Sequence, residues 1–491
     1  MARVTGQVSQ RLSQYLIISG ETREGVTANQ VKLGVQITPE LYMPLSWFSA
    51  AMQCVSGAEL GIALAQYGGC AVLPRSLSIE DQVAIGRRIK KHKAGFNYDV
   101  TTVRPDMAIG KLMEFSRRTG YSSYPVVEGR KLVGLITEKK YHPGKDGGRK
   151  VQERMIPLPD VVRAEEGILL TEANDLLLSR GVGMLPIVDK DGNFVSAVFY
   201  EDIRKHVQFP SEFVDKNMRY RFAGAVSTFK EDLDRAKALM EAGCDILVID
   251  TSHLKGHFGE NMIRELKSRF GVPLVAGNVI DGAGFIQAAE AGADMVKVGQ
   301  GPGYGCTTRE VKRTGRGQAT ALMEVARARD EYASRTGKRV PICADGGIET
   351  AGDMNVAYAI GADALMMGKY FGEFSESAAP VVKRRVRVTV NGNDMTVTVP
   401  FKQYWGEASR RAANIERYGY TSLARFVPEG GDGLIPLRGS IHDPDDGIEI
   451  DIAFVKKTMS ESGALTPQEF STRAELELQS EGAKDEGRSK V

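Results

Sequence analysis

The sequence Asp294-Met-Val-Lys-Val298-Gly-Gln-Gly-Pro-Gly-Tyr-Gly-Cys306-Thr-Thr-Arg309 joins an apolar run to a glycine-rich loop that holds a cysteine. The apolar run predicts a buried strand. Glycines let the loop backbone adopt positive φ and approach a ligand closely. Cys306 in such a loop can be reached by a substrate, and its thiolate would be a nucleophile. A tight turn with a buried structural cysteine explains the same residues, because free cysteine is among the most buried residue types.

Length and composition indicate an ordinary globular chain with more than one domain. The 491 residues exceed the ~100–200 that are typical of one domain. A net charge of +2 gives no reason to expect a nucleic-acid partner. Five scattered cysteines predict a reducing compartment, so we expect a cytoplasmic protein. No apolar run approaches the ~20 residues that cross a bilayer, and the first residues show no signal-peptide pattern, so we expect no membrane association.

Apolar strands alternate with helical stretches along much of the chain. The strands are predicted at Cys70–Pro74, Asp245–Ile249, Pro273–Ala276, Met295–Val298, Pro341–Ala344 and Ala364–Met367. Each of the later strands is followed at once by polar or glycine residues, among them Asp250, Asn278, Gly299, Asp345 and Gly368. A doubly wound sheet would give a similar alternation. We favour an α/β fold of the (β/α)8 TIM-barrel type, because so many successive strands carry a candidate site residue at the carboxyl end.

An internal repeat interrupts this alternation. Residues 107–137 and 170–199 each predict a helix, a short strand after a proline, a turn with glycine, a second strand and a closing helix. The two copies resemble a tandem pair of cystathionine-β-synthase (CBS) modules, which commonly bind adenine or guanine nucleotides. The Thr/Ser-x-x-Asp pattern for ribose is missing from both copies, so a purine nucleotide effector and a purely structural module both stay open. We expect a catalytic barrel in two parts, 1–97 and 209–491, with the CBS module at 98–208.

The chain after Gly368 loses the barrel alternation. Two strictly alternating runs, Arg385–Val390 and Met395–Val399, flank Asn391-Gly-Asn-Asp394 and predict a β-hairpin. An excursion of this length, about 373–435, predicts a lid over an active site. The residues from about Gln479 are polar and predict a C-terminal tail.

The glycine-rich loop resembles the catalytic loop of the IMP dehydrogenase / GMP reductase superfamily, in which Gly-x-Gly-x-Gly-x-x-Cys-x-Thr carries a nucleophilic cysteine. The resemblance runs in the same order along nearly the whole chain. It implies that the thiolate of Cys306 attacks C2 of the purine of inosine monophosphate (IMP) and that hydride leaves to NAD⁺. Water then hydrolyses the thioimidate to xanthosine monophosphate (XMP), a step of guanine nucleotide biosynthesis.

The resemblance also assigns site residues by motif. The catalytic residues that it implies are Cys306, Thr308, Arg417 and Tyr418. For the substrate IMP it implies Met52, Asp345, Gly346, Gly347, Gly368, Lys369, Tyr404 and Glu429. For the cofactor NAD it implies Asp250, Thr251, Ser252, Gly277, Asn278 and Arg309. For a K⁺ ion it implies carbonyl groups of Gly301, Gly303 and Cys306 with Glu481, Gly482 and Ala483 of a neighbouring subunit, and hence a homotetramer.

Two features keep other functions open. The superfamily usually has a phosphate-binding serine followed by Ile or Val before the cysteine, where this chain has Tyr304-Gly305. The NADPH-dependent GMP reductase, which converts GMP to IMP, uses a threonine–glutamate pair, here Thr308 and Glu429, and no arginine–tyrosine pair. We favour the dehydrogenase because Arg417-Tyr418 provides the water activation that the reductase does not need. A non-catalytic nucleotide sensor built on the CBS module is the third hypothesis.

Overall fold

The computed structural model describes residues 4–92, 95–98, 100–390, 393–413 and 428–487. These residues form two compact units. One comprises the described residues of Met1–Lys90, Ser211–Phe213 and Tyr220–Val491, and the other those of Lys91–Pro210 and Val214–Arg219. The chain therefore leaves the first unit after its second barrel strand and returns to it before the third.

The first unit is a closed barrel of eight parallel strands, which confirms the predicted α/β barrel. In chain order the strands β1 to β8 are Trp47–Ser49, Cys70–Leu73, Ala223–Val226, Ile246–Asp250, Leu274–Val279, Met295–Val298, Ile342–Asp345 and Ala364–Met367. Each strand pairs with the next, and β8 returns to β1 through the pair Met366↔Phe48. Parallel strands joined by helical crossovers bring all their carboxyl ends to one rim.

A helix follows each barrel strand. Helices α1 to α8 are Ala58–Gln66, Ile79–His92, Asp232–Glu241, His257–Phe270, Gly282–Ala291, Gln318–Thr336, Ala351–Ile360 and Ile448–Glu461. Several end at a glycine in the left-handed conformation, as α5 does at Gly292 and α6 at Gly337. At the start of α5 the Asp281 side chain accepts a hydrogen bond from the backbone N–H of Gly284. Local cap chemistry thus fixes where the crossovers begin and end.

Side chains fill the inside of the barrel. Every residue of β2, β3, β6 and β8 is buried, and the strands are rich in small and β-branched apolar residues. The interior core includes Phe48, Val72, Ala225, Val248, Val275, Met295, Cys343 and Met366. The barrel is a packed core, so a ligand must bind at its rim.

A three-stranded antiparallel sheet stands between β8 and α8. Its strands are Val381–Val390, Asn393–Trp405 and Asp432–Pro436. The first two pair from Val381↔Lys402 to Val390↔Asn393, which confirms the predicted hairpin and extends it at both ends. The buried ammonium of Lys402 donates to the carbonyl groups of Ser375 and Ser377 and so fixes the base of the sheet.

The second unit contains both copies of the repeat. Its sheets are Ser123–Glu128, Lys131–Thr137 and Ile156–Pro157 in one copy, and Ala164–Glu165, Met184–Val188 and Phe194–Phe199 in the other. Its helices are Ile109–Thr119, Leu170–Arg180 and Tyr200–Gln208, with short 3-10 turns at Glu138–Lys140, Val151–Glu153 and Leu158–Asp160. The closing helix predicted for the first copy is therefore a single 3-10 turn. In each copy the strand before the glycine turn was predicted to follow a proline. The proline instead lies inside that strand, Ser123–Glu128 or Met184–Val188, as its third residue.

The remaining elements are small. They are the strand pairs Tyr15–Ile18 with Glu475–Leu478 and Val35–Thr38 with Leu41–Met43, the short helices Thr308–Val311, Lys369–Gly372, Pro467–Arg473 and Glu481–Glu486, and the 3-10 turns Leu12–Gln14 and Ala28–Gln30. The residues from about Gln479, expected as a plain tail, thus carry the short helix Glu481–Glu486. Within the described ranges, no helix is both long and apolar enough to span a bilayer.

Candidate active site

A cavity of about 420 Å³ lies at the carboxyl ends of the barrel strands. Most of the residues predicted for the site line it. They are Met52, Asp250, Thr251, Ser252, Asn278, Gly301, Gly303, Cys306, Thr308, Asp345, Gly346, Gly347, Gly368, Lys369, Tyr404 and Glu429. These positions come from six barrel strands and the excursion after β8, so closure of the barrel is what brings them together.

The cysteine loop is held to the barrel by contacts that need glycine. A side chain at Gly299 would collide with the carbonyl oxygen of Asp345, at the end of the neighbouring strand β7. Gly301 has a φ of +76°, and the Arg309 side chain packs against its Cα. The amide of Gln318 donates to the carbonyl groups of Val298 (2.8 Å) and Asp345 (3.3 Å), which ties β6 to β7 below the loop. The loop therefore follows the rim closely and places Cys306 in the cavity.

Cys306 begins a chain of hydrogen bonds. Its thiol is partly exposed and donates to the Thr308 hydroxyl over 3.3 Å, and that hydroxyl donates to Oε2 of Glu429 over 2.8 Å. The other carboxylate oxygen of Glu429 pairs with the Lys312 ammonium at 3.2 Å. Both links are within reach of proton transfer. A proton can thus leave the thiol through Thr308 to Glu429, which would generate the nucleophilic thiolate.

The loop and the excursion after β8 are joined by backbone hydrogen bonds. The Thr307 N–H donates to the Glu429 carbonyl at 2.9 Å, and the Gly431 N–H donates to the Gly305 carbonyl at 2.8 Å. Residues Cys306 and Gly430 form an isolated antiparallel bridge. These bonds set the position of the Glu429 carboxylate relative to Thr308.

Behind the loop, the ammonium of Lys297 lies between two cavity carboxylates. Its Nζ is 2.9 Å from Oδ1 of Asp250 and 2.6 Å from Oδ2 of Asp345, and it also donates to Oδ1 of Asn278. Lys297 is fully buried. Burial alone would lower its pKa, but the negative charges of Asp345 and Asp250 outweigh that effect and raise the pKa well above its usual value. Lys297 was not among the site residues predicted from the sequence. The signal for it was a charged side chain inside an otherwise apolar strand.

The end of the cavity next to β8 combines glycines, a lysine and two tyrosines. Gly346 (φ +84°) and Gly347 (φ +73°) expose backbone toward the cavity. The Lys369 ammonium is 2.5 Å from Oε2 of Glu349 and 4.5 Å from the centre of the Tyr304 ring. Burial opposes the charge on Lys369, but Glu349 outweighs it and raises the pKa of the lysine. The lysine is therefore a cation at neutral pH, close to the cysteine loop.

Met52 and Tyr404 close the same end. The Tyr404 hydroxyl lies 3.7 Å from the Met52 sulfur, and both atoms crowd Gly368 so that a side chain there would touch them. The rings of Tyr304 and Tyr404 meet edge to face, with centroids 5.7 Å apart. Tyr304 thus packs against the wall of the cavity and is part of its lining.

The other predicted residues fall elsewhere. Arg417 and Tyr418 lie outside the described residues. The cavity lining, within the described ranges, does not include Gly277, Arg309, Glu481, Gly482 or Ala483. Arg309 packs beneath the loop, and burial lowers its pKa from the usual range. The last three begin the helix Glu481–Glu486.

Several lining residues have no counterpart in the sequence prediction. They include Arg75, Thr228, Phe229, Gln300, Glu349 and Glu407. Arg75 follows β2 and is buried, with its Nε 2.6 Å from Oδ2 of Asp232. Gln300 lies inside the glycine-rich motif, but no short motif marks the other five, because each lies in a loop whose neighbours in the cavity come from distant strands.

A family model described as the IMP dehydrogenase / GMP reductase domain matches residues 12–490 of this chain. The chain belongs to the IMP dehydrogenase / GMP reductase family. It is 34% identical to the inosine-5'-monophosphate dehydrogenase of Tritrichomonas foetus over 493 residues, which covers 97% of this chain and 95% of that protein. It is 35% identical to the enzyme of the same name from Aquifex aeolicus (strain VF5) over 426 residues, covering 85% and 83%.

Solved structures of the family agree with the fold. A cysteine-to-alanine variant of GMP reductase from Trypanosoma brucei, in complex with guanosine 5'-monophosphate, superposes with a TM-score of 0.87 at 26% identity. The superposition covers 99% of both chains. The family thus includes proteins of both names that are similar to this chain over nearly its full length.

Proposed function

We propose that this chain catalyses the NAD-dependent oxidation of IMP to XMP through a covalent intermediate on Cys306. The observation that carries the covalent step is the partly exposed cysteine in the cavity, connected through Thr308 to the carboxylate of Glu429. Relatives named inosine-5'-monophosphate dehydrogenase, similar over 97% of the chain, support the same reaction.

The proposed reaction divides into two halves. The Cys306 sulfur bonds to C2 of the hypoxanthine ring, the thiol proton passes through Thr308 to Glu429, and a hydride equivalent leaves C2. NAD⁺, when bound, accepts that hydride and becomes NADH. Water then adds to C2 and the carbon–sulfur bond breaks, which releases XMP and restores the thiol. We assign activation of this water to Arg417 and Tyr418, as the family resemblance implies, with Thr308 orienting it.

We propose that the nucleotide occupies the end of the cavity next to β7 and β8. Asp345 offers a carboxylate to the ribose hydroxyls, and Met52 offers an apolar surface to the base. The N–H groups of Gly347 and Gly368, together with Lys369, would face the phosphate. Gly346, whose own N–H donates to the Met366 carbonyl at 3.3 Å, would line the same end. Tyr404 and Glu429 complete this half.

We propose that NAD binds on the side of β4 and β5. The residues assigned to it are Asp250, Thr251, Ser252, Gly277, Asn278 and Arg309. The fit rests on side chains of the right chemistry: the carboxylate of Asp250 and the hydroxyls of Thr251 and Ser252 line one wall of the cavity. These groups would hold the nicotinamide ribose close to C2 of the nucleotide and keep bulk water away.

Three further assignments follow from the family resemblance. A K⁺ ion would be held by the carbonyl oxygens of Gly301, Gly303 and Cys306 and by Glu481–Ala483 of a neighbouring subunit, because carbonyl oxygens are suitable ligands for hard cations. This arrangement requires a neighbouring subunit, and the family resemblance implies a homotetramer. The inserted unit, as a CBS pair, is a candidate for binding a purine nucleotide effector. Separately from the resemblance, the few scattered cysteines fit action in the cytoplasm.

GMP reductase is the second candidate, and one contact favours it. Thr308 donates directly to Glu429, the pair that the reductase uses, and the similarity to the reductase of Trypanosoma brucei extends over the whole chain. In that reaction GMP, NADPH and two protons give IMP, ammonium and NADP⁺. No water has to be activated, so Arg417 and Tyr418 would be unnecessary.

The deciding experiment follows NADH absorbance after the purified chain is mixed with IMP, NAD⁺ and K⁺. We expect absorbance to rise with the wild-type chain and to stay flat with Cys306→Ala. If the wild-type chain leaves it flat but oxidises NADPH in the presence of GMP, the reductase replaces the dehydrogenase. Inactivity with both pairs of substrates would contradict both proposals and favour a non-catalytic nucleotide sensor.

A further inference from the structure

Lys297 occupies an unusual place in the barrel. It is the third residue of β6, 1% exposed, and its Nζ contacts Asp250 at the end of β4, Asn278 on β5 and Asp345 at the end of β7. One buried side chain therefore connects the carboxyl ends of four neighbouring strands. Its partners line both proposed halves of the cavity, whereas the ammonium itself is hidden behind them.

The charges of the cluster require the lysine. Two carboxylates with small exposed fractions, 18% each, approach the same Nζ within 3 Å. Without a cation between them, like charges so close would favour protonation of one carboxylate. The fourth titratable group of the cluster is the buried thiol of Cys343, whose pKa burial raises well above the usual value, so it remains neutral. Lys297 is thus the positive charge that lies between Asp250 and Asp345 and pairs with both.

The lysine also orients Asp345. Both Lys297 and Nδ2 of Asn278 donate to the same oxygen of Asp345, Oδ2, at 2.6 and 2.9 Å. Among the described residues, none donates to Oδ1. The Nδ2 group of Asn278 also donates to the Gly299 carbonyl at 2.6 Å, where the cysteine loop begins. The contacts therefore leave Oδ1 available to a ligand hydroxyl and tie its position to the loop.

We infer that Lys297 is a positioning residue that couples the nucleotide and dinucleotide halves of the site, because it holds Asp345 and Asp250 in a single electrostatic unit. The inference rests on the proposed function for what each carboxylate binds. The coupling has a physical basis, since two groups that share one buried cation cannot change charge or position independently. A change at Asp250 must alter nucleotide affinity at Asp345.

The test measures IMP dissociation constants by calorimetry without dinucleotide. We expect Lys297→Met to weaken IMP binding by about tenfold or more, because Asp345 would lose the buried charged donor that orients it. Adding Asp250→Asn to that variant removes the repelling carboxylate and should recover at least about fivefold. Lys267→Met is the matched control. Its ammonium pairs with Asp294 at 2.7 Å beside the start of β6, at the opposite end of the barrel, and should leave IMP affinity unchanged.

The outcomes separate the hypotheses. No recovery in the double variant would overturn the coupling and leave Lys297 as a structural residue. If Lys297→Met does not fold, the single variant Asp250→Asn provides the test. Coupling predicts that this variant shifts the IMP dissociation constant by at least about fivefold. An unchanged dissociation constant overturns the inference. A wild-type chain that binds neither IMP nor GMP would contradict the proposed function itself, and the inference with it.

Discussion

Glu429→Gln tests whether the carboxylate accepts the proton of the cysteine. In the wild-type chain the Thr308 hydroxyl donates to Glu429 over 2.8 Å. Glutamine has nearly the same shape, so its carbonyl oxygen can still accept this hydrogen bond. It cannot take up a proton at neutral pH. Loss of a general base slows catalysis by about 10²–10⁴-fold. We therefore expect kcat to fall at least about 100-fold.

The structure also limits a competing explanation. The substitution breaks the ion pair between Glu429 and Lys312, but the Lys312 side chain is 43% exposed. Exposed pairs contribute at most about 1 kcal/mol, which corresponds to about fivefold in rate. The two effects differ by more than a factor of ten, so the size of the loss distinguishes them. Lys312→Met removes the ion pair alone and should cost no more than about fivefold.

The assay has two readouts. The first is the rate of NADH formation with IMP, or of NADPH oxidation with GMP if the chain is a reductase. The second is the rate at which iodoacetamide alkylates Cys306, which reports the thiolate and needs no substrate. Selectivity is expected because the other four cysteines are buried. Glu310→Gln, an exposed carboxylate on the adjacent short helix, is the control and should change neither rate.

A loss in kcat of less than about fivefold, with unchanged alkylation, would refute the proton path. A loss in kcat of about 100-fold or more with unchanged alkylation would place the role of Glu429 after formation of the covalent bond. Only the parallel loss of both rates supports transfer from Cys306 through Thr308.

Three other perturbations test separate parts of the structure. Lys369→Met removes the proposed phosphate cation and should raise the KM for the nucleotide about tenfold without changing that for the dinucleotide, as steady-state kinetics would show; equal rises would contradict a phosphate contact. Gly299→Ala should reduce activity strongly, because its methyl group would collide with the Asp345 carbonyl; retained turnover would show that the loop can shift. Asp232→Asn leaves Arg75 without its buried partner and should lower the free energy of unfolding by about 3–5 kcal/mol in urea titrations at pH 7. Burial opposes ionisation of Asp232, but Arg75 outweighs it and lowers the pKa, so this stability is present above the unfolded pKa of ~3.9 and lost as pH falls through the folded value. The variant should therefore lose less stability on acidification than the wild-type chain, and an equal loss would contradict that assignment.

The sequence alone determined the class of fold and the order of the site loops. Apolar strands alternating with helices, each ended by a polar or glycine residue, predicted the barrel and the rim on which the site lies. The strand that contains Lys297, followed by the loop of Cys306, lies where it was predicted. Such features are local, because strand and helix periodicity and cap residues are written within a few neighbouring positions.

The tertiary structure alone decided which distant residues touch. Thr308 and Glu429 are 121 positions apart, and Lys297 is 47 and 48 positions from Asp250 and Asp345. No local pattern predicts these distances, because they depend on closure of the barrel and on the path of the excursion after β8. The charged residue in an apolar strand was visible in the sequence, but its role required its three partners to be seen around it. A buried cation is stable only with such partners, and only the closed barrel brings them to one point.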